Sequence, residues 1–219
     1  MLRVENASLL HAPLAPGLRP ACAERLLEAL PYAARLRLER AGAPARAASL
    51  AGLALALIAA VRANGTEFRG VADLQLRDDE RPRFRRGPHF SISHTGSRVA
   101  CIACMTMEVG LDIETLQEER ALAPSSAKLR WWTAAEATLK AAGAGLRRIR
   151  DVRVDLAALA SELDGRHYVL RDVELAPATR GHVASPAPIV VAIECVVLDG
   201  REFSASLERV LGLTAQGQQ

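Results

Sequence analysis

The sequence predicts a mixed α+β fold, and three stretches carry that prediction. Residues 21–63 are rich in alanine and leucine, with the apolar spacing of helices. Residues 90–114 contain short aliphatic runs separated by turn residues, which predicts three strands. A further helix and several strand-like runs follow up to residue 198. No internal repeat is visible in the sequence.

The segments before residue 90 are predicted in chain order. They are a strand over 2–10, a loop over 13–20, a helical pattern over 21–41, a helix over 45–63, a strand over 68–76 and a charged loop over 77–87. Pro31 breaks the first helical pattern because proline lacks the backbone N–H. The helix over 45–63 is apolar on most faces and ends at Asn64-Gly65, so we expect a buried core helix.

The segments after residue 90 alternate between strands and one helix. They are three strands with turns at 95–97 and 106–108, a helix over 133–142, strands over 152–156, 168–175 and 189–198, a loop over 178–188 and a frayed tail over 215–219. Gly143 and Gly145 are the predicted stop of the helix.

Composition limits the function classes. The chain has 219 residues, of which 50% are hydrophobic and 24% charged, which is typical of a globular protein. The net charge is only +3, without a basic stripe carrying interleaved aromatics, so we expect no nucleic-acid partner.

The N-terminus lacks the pattern of a signal peptide, and the apolar run over 50–61 is too short to span a bilayer. We therefore expect a cytoplasmic protein with no membrane partner. Cys101 and Cys104 have C-x-x-C spacing, but no second pair completes a zinc set, so we expect core residues.

The predicted strand over 109–114 carries two carboxylates on one face. Asp112 and Glu114 alternate with aliphatic residues, and alternate side chains of a strand share a face. Paired carboxylates repel each other unless a cation lies between them, and Mg²⁺ prefers oxygen ligands. A solvated edge strand would show the same pattern, so both interpretations stay open here.

Glu136 and Lys140 lie four residues apart on the predicted helix, so they share its face. A third carboxylate beside an ammonium, brought to the acidic strand, would form a site for a metal and a phosphate. The alternatives are a capping box from Thr133 to Glu136 and an ordinary surface ion pair.

Two stretches resemble the signature motifs of the Sfp-type 4'-phosphopantetheinyl transferases. The first reads FSISHTG over 90–96, followed by GLDIE over 110–114, and the second reads WTAAEATLKAAG over 132–143. Arg81-Pro82 before the first motif fits the family as well. Ala135 stands where the family has a lysine, and the connection between Glu114 and Trp132 is shorter than usual.

The resemblance implies an α+β fold of two similar halves, each with a small antiparallel sheet packed on a long helix. The cofactor lies between the halves in this family. The division would fall near residue 106, with an N-terminal half over 1–105 and a C-terminal half over 106–219 that carries the acidic site.

The activity implied by the resemblance is Mg²⁺-dependent transfer of 4'-phosphopantetheine from coenzyme A to a serine of an apo acyl or peptidyl carrier protein, releasing 3',5'-ADP. Asp112, Glu114 and Glu136 would hold the Mg²⁺. Glu136 would also accept the serine proton, directly or through a water, and Lys140 would bind phosphate beside it. We expect a monomer.

The resemblance also implies a set of coenzyme A contacts. They are His94 with Ser93 and Thr95 beside it, Lys140, and the further candidates Arg81 and Arg46. A lone histidine is more often structural, and exposed arginines are usually solvated. A non-catalytic relative that binds coenzyme A or a carrier protein is the alternative, and a metal-dependent hydrolase is a third, weaker one.

Overall fold

The fold is mixed α+β, seen in a computed structural model that describes residues 5–63, 68–76, 81–116 and 126–215. The helices are α1 (Pro20–Ala29), α2 (Tyr32–Arg40), α3 (Ala43–Ala63), α4 (Ser126–Ala142) and α5 (Arg201–Ala215). The strands are β1 (Glu5–Pro13), β2 (Leu74–Gln75), β3 (Arg83–Phe84), β4 (His89–His94), β5 (Arg98–Cys104), β6 (Gly110–Thr115), β7 (Arg153–Asp155), β8 (Ala160–Leu163), β9 (Arg166–Ala176), β10 (Thr179–Ser185) and β11 (Ile189–Cys195).

The first main sheet has the strand order β11-β1-β5-β4 and packs on α3. β1 pairs with β5 antiparallel and with β11 parallel. This sheet is therefore mixed, and the expectation of a purely antiparallel sheet on this side is wrong. The reason is that β11 arrives from the second sheet and enters beside β1 in the same direction.

The second main sheet is antiparallel, with the strand order β6-β10-β9-β8-β7. One of its faces packs on α4. The opposite face packs against the first sheet through an aliphatic core that includes Leu9, Ile102, Leu111 and Val183. The acidic strand β6 is thus buried on its aliphatic side, as the alternation of its side chains predicts.

Two serines of β4 connect the two sheets. The backbone N–H of Leu111 donates to Ser91 Oγ at 3.0 Å, and the N–H of Ile113 donates to Ser93 Oγ at 3.2 Å. These side-chain acceptors fix β6 beside β4 although the two strands belong to different sheets.

Most elements predicted from local patterns are confirmed. The break at Pro31 separates α1 from α2, α3 is a buried core helix, and β4, β5 and β6 follow one another as predicted. The strands predicted over 152–156, 168–175 and 189–198 correspond to β7, β9 and β11. Cys101 and Cys104 are both free and buried, in different cores.

Three predicted segments are wrong in type or in length. Residues 178–188 contain the strand β10 rather than a loop. Residues 68–76 contain a 3₁₀ turn over Gly70–Asp73, and only the two residues of β2 after it are a strand. The helix predicted over 133–142 begins at Ser126, and α5 carries no prediction.

The failure at β10 has a physical cause. Its sequence TRGHVAS mixes charged, small and aliphatic residues, whereas a strand is usually recognised by β-branched and aromatic content. Arg180 and His182 find polar partners on β9 and α4, so a central strand tolerates them.

Other predicted features lie outside the described residues: the start of the first strand, the stop at Asn64-Gly65, part of the charged loop, most of the connection between Glu114 and Trp132, and all but Ala215 of the tail.

The division predicted near residue 106 falls between β5 and β6, which belong to different sheets. The C-terminal segment nevertheless returns to the first sheet. β11 pairs with β1, and α5 packs against α1 and α3. Residues 189–215 therefore pack with the N-terminal elements.

α3 is long and apolar enough by length and composition to cross a membrane, since its most apolar window has a mean hydropathy of 1.7. That window is 67% buried inside the protein. α3 contacts β4, β5 and β1, so it is a core helix of this fold.

Candidate functional site

Asp112 is the centre of a polar cluster between β6 and α4. Its side chain is buried, with the residue only 4% exposed. The Oδ1 atom accepts hydrogen bonds from Lys140 Nζ at 2.7 Å and from Ser93 Oγ at 2.8 Å. The Oδ2 atom is buried and has no hydrogen-bond partner among the described residues. One oxygen of this carboxylate is therefore satisfied, whereas the other is not.

Gly110 lets α4 approach β6 closely enough for these contacts. A Cβ at this position would overlap the carbonyl oxygen of Ala137 and the backbone nitrogen of Ala141. The close approach brings Lys140 Nζ within 3.0 Å of the Leu111 carbonyl, besides Asp112. The glycine that opens the GLDIE stretch thus has a steric role.

Glu114 and Glu136 belong to the same cluster. Burial raises the pKa of both carboxyl groups, and the charge of Asp112 raises it further. The Lys140 ammonium opposes both increases, and a hydrogen bond with Trp132 also stabilises the Glu136 carboxylate. The three carboxylates therefore repel one another, and the Lys140 ammonium, which contacts Asp112, attracts all three.

The capping-box interpretation of Glu136 is wrong. Thr133 lies seven residues into α4, so it is not at the helix start. Its hydroxyl lies 3.1 Å from the Leu129 carbonyl and 2.7 Å from His182 Nδ1. Glu136 consequently faces no free N–H groups of a first turn.

The donor chemistry of the cluster suits a hard cation. Its three carboxylates, among them that of Asp112 with the unpartnered Oδ2, supply the oxygen ligands that Mg²⁺ prefers. No group of three or more histidine, cysteine or acidic side chains in the described part of the chain is already arranged as a metal-ligand set. Lys140 instead neutralises Asp112 directly.

The predicted coenzyme A residues lie in two environments. His94 is exposed and lines a pocket of about 210 Å³ between α2, α3 and β4, together with Arg37, Ser49 and Pro82. Ser93 is buried, with its hydroxyl between Asp112 and the Ile113 N–H. Thr95 is also buried, with its hydroxyl 2.8 Å from Thr115 Oγ1. The serine and the threonine hold the site together, whereas the histidine faces open space.

The predicted coenzyme A contacts Arg81 and Arg46 also lie in two different environments. Arg81 donates to Glu108 Oε2 at 2.7 Å and also to the Val109 and Lys140 carbonyls, so its guanidinium braces the end of α4. Arg46 is half-buried near the start of α3, outside the residues that line the His94 pocket. Arg37 lines that pocket instead, a residue the sequence analysis did not single out.

Ala135 is fully buried among apolar residues, including Val152 and Leu163. A lysine at this position would place its stem in that core. The difference from the family motif at Ala135 therefore lies in the core of the second sheet.

The strand β10 supplies polar residues that the sequence analysis missed. His182 pairs in register with Asp112 on β6 and with Asp172 on β9, and α4 binds each member of this row. Lys140 binds Asp112, Thr133 binds His182, and Arg130 binds Asp172 at 3.1 Å. Only the pairing of β10 creates the row, so no local signal in the sequence could have revealed it.

A second row lies beside the first. Arg180 of β10 pairs in register with Glu114 and with Glu174, and its guanidinium lies 3.4 Å from Glu174 Oε1. Burial lowers the pKa of His182, although the charge of Asp172 opposes this decrease.

No protein-family model matches this chain, and no curated protein sequence matches it.

Proposed function

We propose that this protein transfers 4'-phosphopantetheine from coenzyme A to a serine of an apo acyl or peptidyl carrier protein. The observation that carries this proposal is the acidic cluster of the buried Asp112 with the half-buried Glu114 and Glu136 beside Lys140. The proposal includes a cytoplasmic monomer in the two-halved fold of the Sfp-type transferases.

The charge balance of the cluster supports a cationic cofactor. Raised pKa values at Glu114 and Glu136 mean that their ionised forms are poorly compensated in the free protein. A Mg²⁺ ion bound by Asp112, Glu114 and Glu136 would remove this repulsion, and it would neutralise charge that develops on the transferred phosphoryl group.

The residues of the chain have separate roles in the proposed reaction. Glu136 accepts the proton of the carrier serine, because its raised pKa brings it closer to neutral pH than an ordinary glutamate. The serine oxygen attacks the β-phosphorus of coenzyme A, the pyrophosphate bond breaks, and 3',5'-ADP leaves. Lys140 donates to the phosphate oxygens, and Ser93 holds Asp112 in place during the reaction. Such transfer depends mainly on positioning and charge neutralisation.

The His94 pocket is the proposed site for the nucleotide end of coenzyme A. His94 and Arg37 are cationic or polar groups at its rim, and Leu38, Leu53 and Ile92 form apolar walls. Ser93 links the two sites, since His94 follows it on β4 and its own hydroxyl contacts Asp112. Successive side chains of a strand point to opposite faces, so a ligand in the pocket would have to pass around the edge strand β4 for its phosphates to reach the acidic cluster.

The second candidate function is binding of coenzyme A or a carrier protein without catalysis. The observation that favours it is that Lys140 already neutralises Asp112 at 2.7 Å, with no metal-ligand set assembled in the described residues. The two functions differ in whether a covalent product forms.

Intact-mass spectrometry tests the proposal directly. Several apo carrier proteins are incubated with this protein, coenzyme A and Mg²⁺. We expect a mass gain of one phosphopantetheine arm on at least one carrier, and we expect a chelator to abolish it. A binding-only protein would give no gain while still binding coenzyme A in a calorimeter.

Glu136→Gln separates the roles further. Loss of the proton acceptor should lower kcat/KM by about 10²–10⁴-fold, whereas coenzyme A should still bind. Glu208→Gln, an exposed change on α5, is the matched control and should retain full activity. Full activity of Glu136→Gln would remove Glu136 from the mechanism.

A further inference from the structure

α4 is fixed to the second sheet by two buried threonine contacts. Thr133 Oγ1 lies 2.7 Å from His182 Nδ1 on β10, and Thr138 Oγ1 lies 2.6 Å from Ser161 Oγ on β8. Both threonines also lie within hydrogen-bond distance of a carbonyl one turn earlier in α4. The two contacts are therefore alike in chemistry and in burial, but they reach different strands.

Only one of these contacts lies on the side of α4 that faces the acidic cluster. Thr133, Glu136 and Lys140 follow the spacing i, i+3 and i+7, so they form one stripe along the helix. Thr138 lies off this stripe and contacts β8, which is separated from β6 by two strands. The Thr133 contact therefore fixes the position of α4 along its axis and its rotation about that axis, and with them the position of the stripe relative to β6.

His182 is held firmly enough to act as a reference point. It is 1% exposed, and its Nε2 atom lies 3.1 Å from Asp172 Oδ1, although this contact lacks the geometry of a hydrogen bond. Arg130 of α4 binds the same Asp172 carboxylate, one turn before Thr133. His182 also lies opposite Asp112 in the β10–β6 register. The imidazole thus joins the acidic strand, the neighbouring strand and the helix.

We propose that His182 is a positioning residue for the acidic cluster: through Thr133 it fixes α4 so that Glu136 and Lys140 face Asp112. Its effect on the cluster is indirect, because the contacts of Asp112 Oδ1 come from Ser93 and Lys140. This inference rests on the proposed function for its link to catalysis, but its link to cation binding can be measured separately. Groups that orient metal ligands typically contribute roughly 10–100-fold to metal affinity or activity.

The test compares Thr133→Val with Thr138→Val. Each change removes one hydroxyl from the same helix and one buried contact to the sheet, so both should lower stability by similar amounts. We expect only Thr133→Val to weaken Mn²⁺ binding to the coenzyme A-bound protein by roughly 10–100-fold, as measured by electron paramagnetic resonance. The same variant should lose kcat rather than affinity for coenzyme A.

Two changes at His182 give an independent measurement. His182→Leu removes both ring nitrogens and should reproduce the Thr133→Val defect. His182→Asn keeps a polar group near the position of Nδ1 that can hydrogen-bond with the Thr133 hydroxyl, so it should restore most of the Mn²⁺ affinity. Thermal unfolding of each variant shows that the protein tested is folded.

Equal Mn²⁺ affinities of the two threonine variants would overturn the positioning role, and so would a His182→Asn variant as weak as His182→Leu. If the wild-type protein binds Mn²⁺ but modifies no carrier, the proposed function fails while the Mn²⁺ affinities still decide the role of His182. If the wild-type protein binds no Mn²⁺ with coenzyme A present, both proposals fall.

Discussion

The two oxygens of Asp112 have opposite environments, and this asymmetry defines the site at the scale of single residues. Oδ1 accepts bonds from Ser93 and Lys140, while Oδ2 is buried without a partner in the described chain. A buried acceptor left unpaired costs free energy, so the free protein carries a local penalty that a bound cation would relieve. Glu136 shares this penalty, because burial and Asp112 together raise its pKa.

Glu136→Gln should therefore stabilise the metal-free protein at alkaline pH. In the folded protein the pKa of Glu136 lies above its value in the unfolded chain, which is about 4.5. The folded state therefore binds this proton more tightly, and the free energy of unfolding falls as the pH rises above about 4.5. Glutamine removes this loss. Urea unfolding in the presence of a chelator should show the variant more stable than the wild type at pH 8.

At about pH 4 the carboxyl is largely protonated in both states, so the two proteins should then have nearly equal free energies of unfolding. Adding Mg²⁺ at pH 8 should stabilise the wild type more than the variant. A variant that is less stable than the wild type at pH 8 would contradict this electrostatic account.

At the scale of elements, α4 and β6 form the site because they approach each other closely. α4 packs against β6, β10, β8 and β7 of the second sheet, and its polar residues meet one register row of Asp112, His182 and Asp172. The approach depends on Gly110, where any Cβ would meet backbone atoms of α4. A shift of the helix would move Lys140 away from Asp112.

Gly110→Ala should destabilise the protein by about 1–3 kcal/mol or more, because the added Cβ meets backbone atoms that can move only if α4 moves. The same change should weaken coenzyme A-dependent activity, because Lys140 and Glu136 move with α4. Gly96→Ala is the matched control: a Cβ there meets nothing within 4 Å, so its effect should stay within about 0.5 kcal/mol. Chemical denaturation of both variants provides the measurement, and equal stabilities would show that α4 tolerates the displacement.

At the scale of the whole molecule, the chain leaves the first sheet after β5, builds the second sheet and then returns. β11 covers the outer edge of β1, and α5 packs into the core around α3. The first sheet is therefore incomplete until the C-terminal residues are in place. The acidic site depends on the same arrangement, because Ser93 belongs to the first sheet and Asp112 to the second.

Leu207→Ala on α5 should lower the free energy of unfolding by about 2–5 kcal/mol, the usual cost of a large cavity in a core. Leu207 is fully buried in the cluster that contains α3. Glu208→Ala, the exposed neighbouring position, should change stability by less than about 0.5 kcal/mol. Urea titrations of both variants test whether the C-terminal helix belongs to the N-terminal core. A small effect of Leu207→Ala would contradict that assignment.

Features that depend on neighbouring residues could be predicted from the sequence. The break at Pro31, the buried α3, the strands β4 to β6 and the shared face of Asp112 and Glu114 follow from proline chemistry and from the periods of helices and strands. Glu136 and Lys140 could be paired because they lie one turn apart on a helix. These rules act over a few residues, so the sequence contains them directly.

Features that depend on distant partners were decided only by the tertiary structure. β10 is a strand because β6 and β9 pair with it on both sides, although its own residues have weak strand character. Ser93 faces Asp112 because two sheets meet at β4, and His182 meets Thr133 because α4 crosses β10. Such contacts join residues 19 to 49 positions apart, and their free energy appears only when the chain has folded. The sequence by itself therefore determined the acidic strand and the helix beside it, whereas the packing of two sheets and α4 decided how those residues are held.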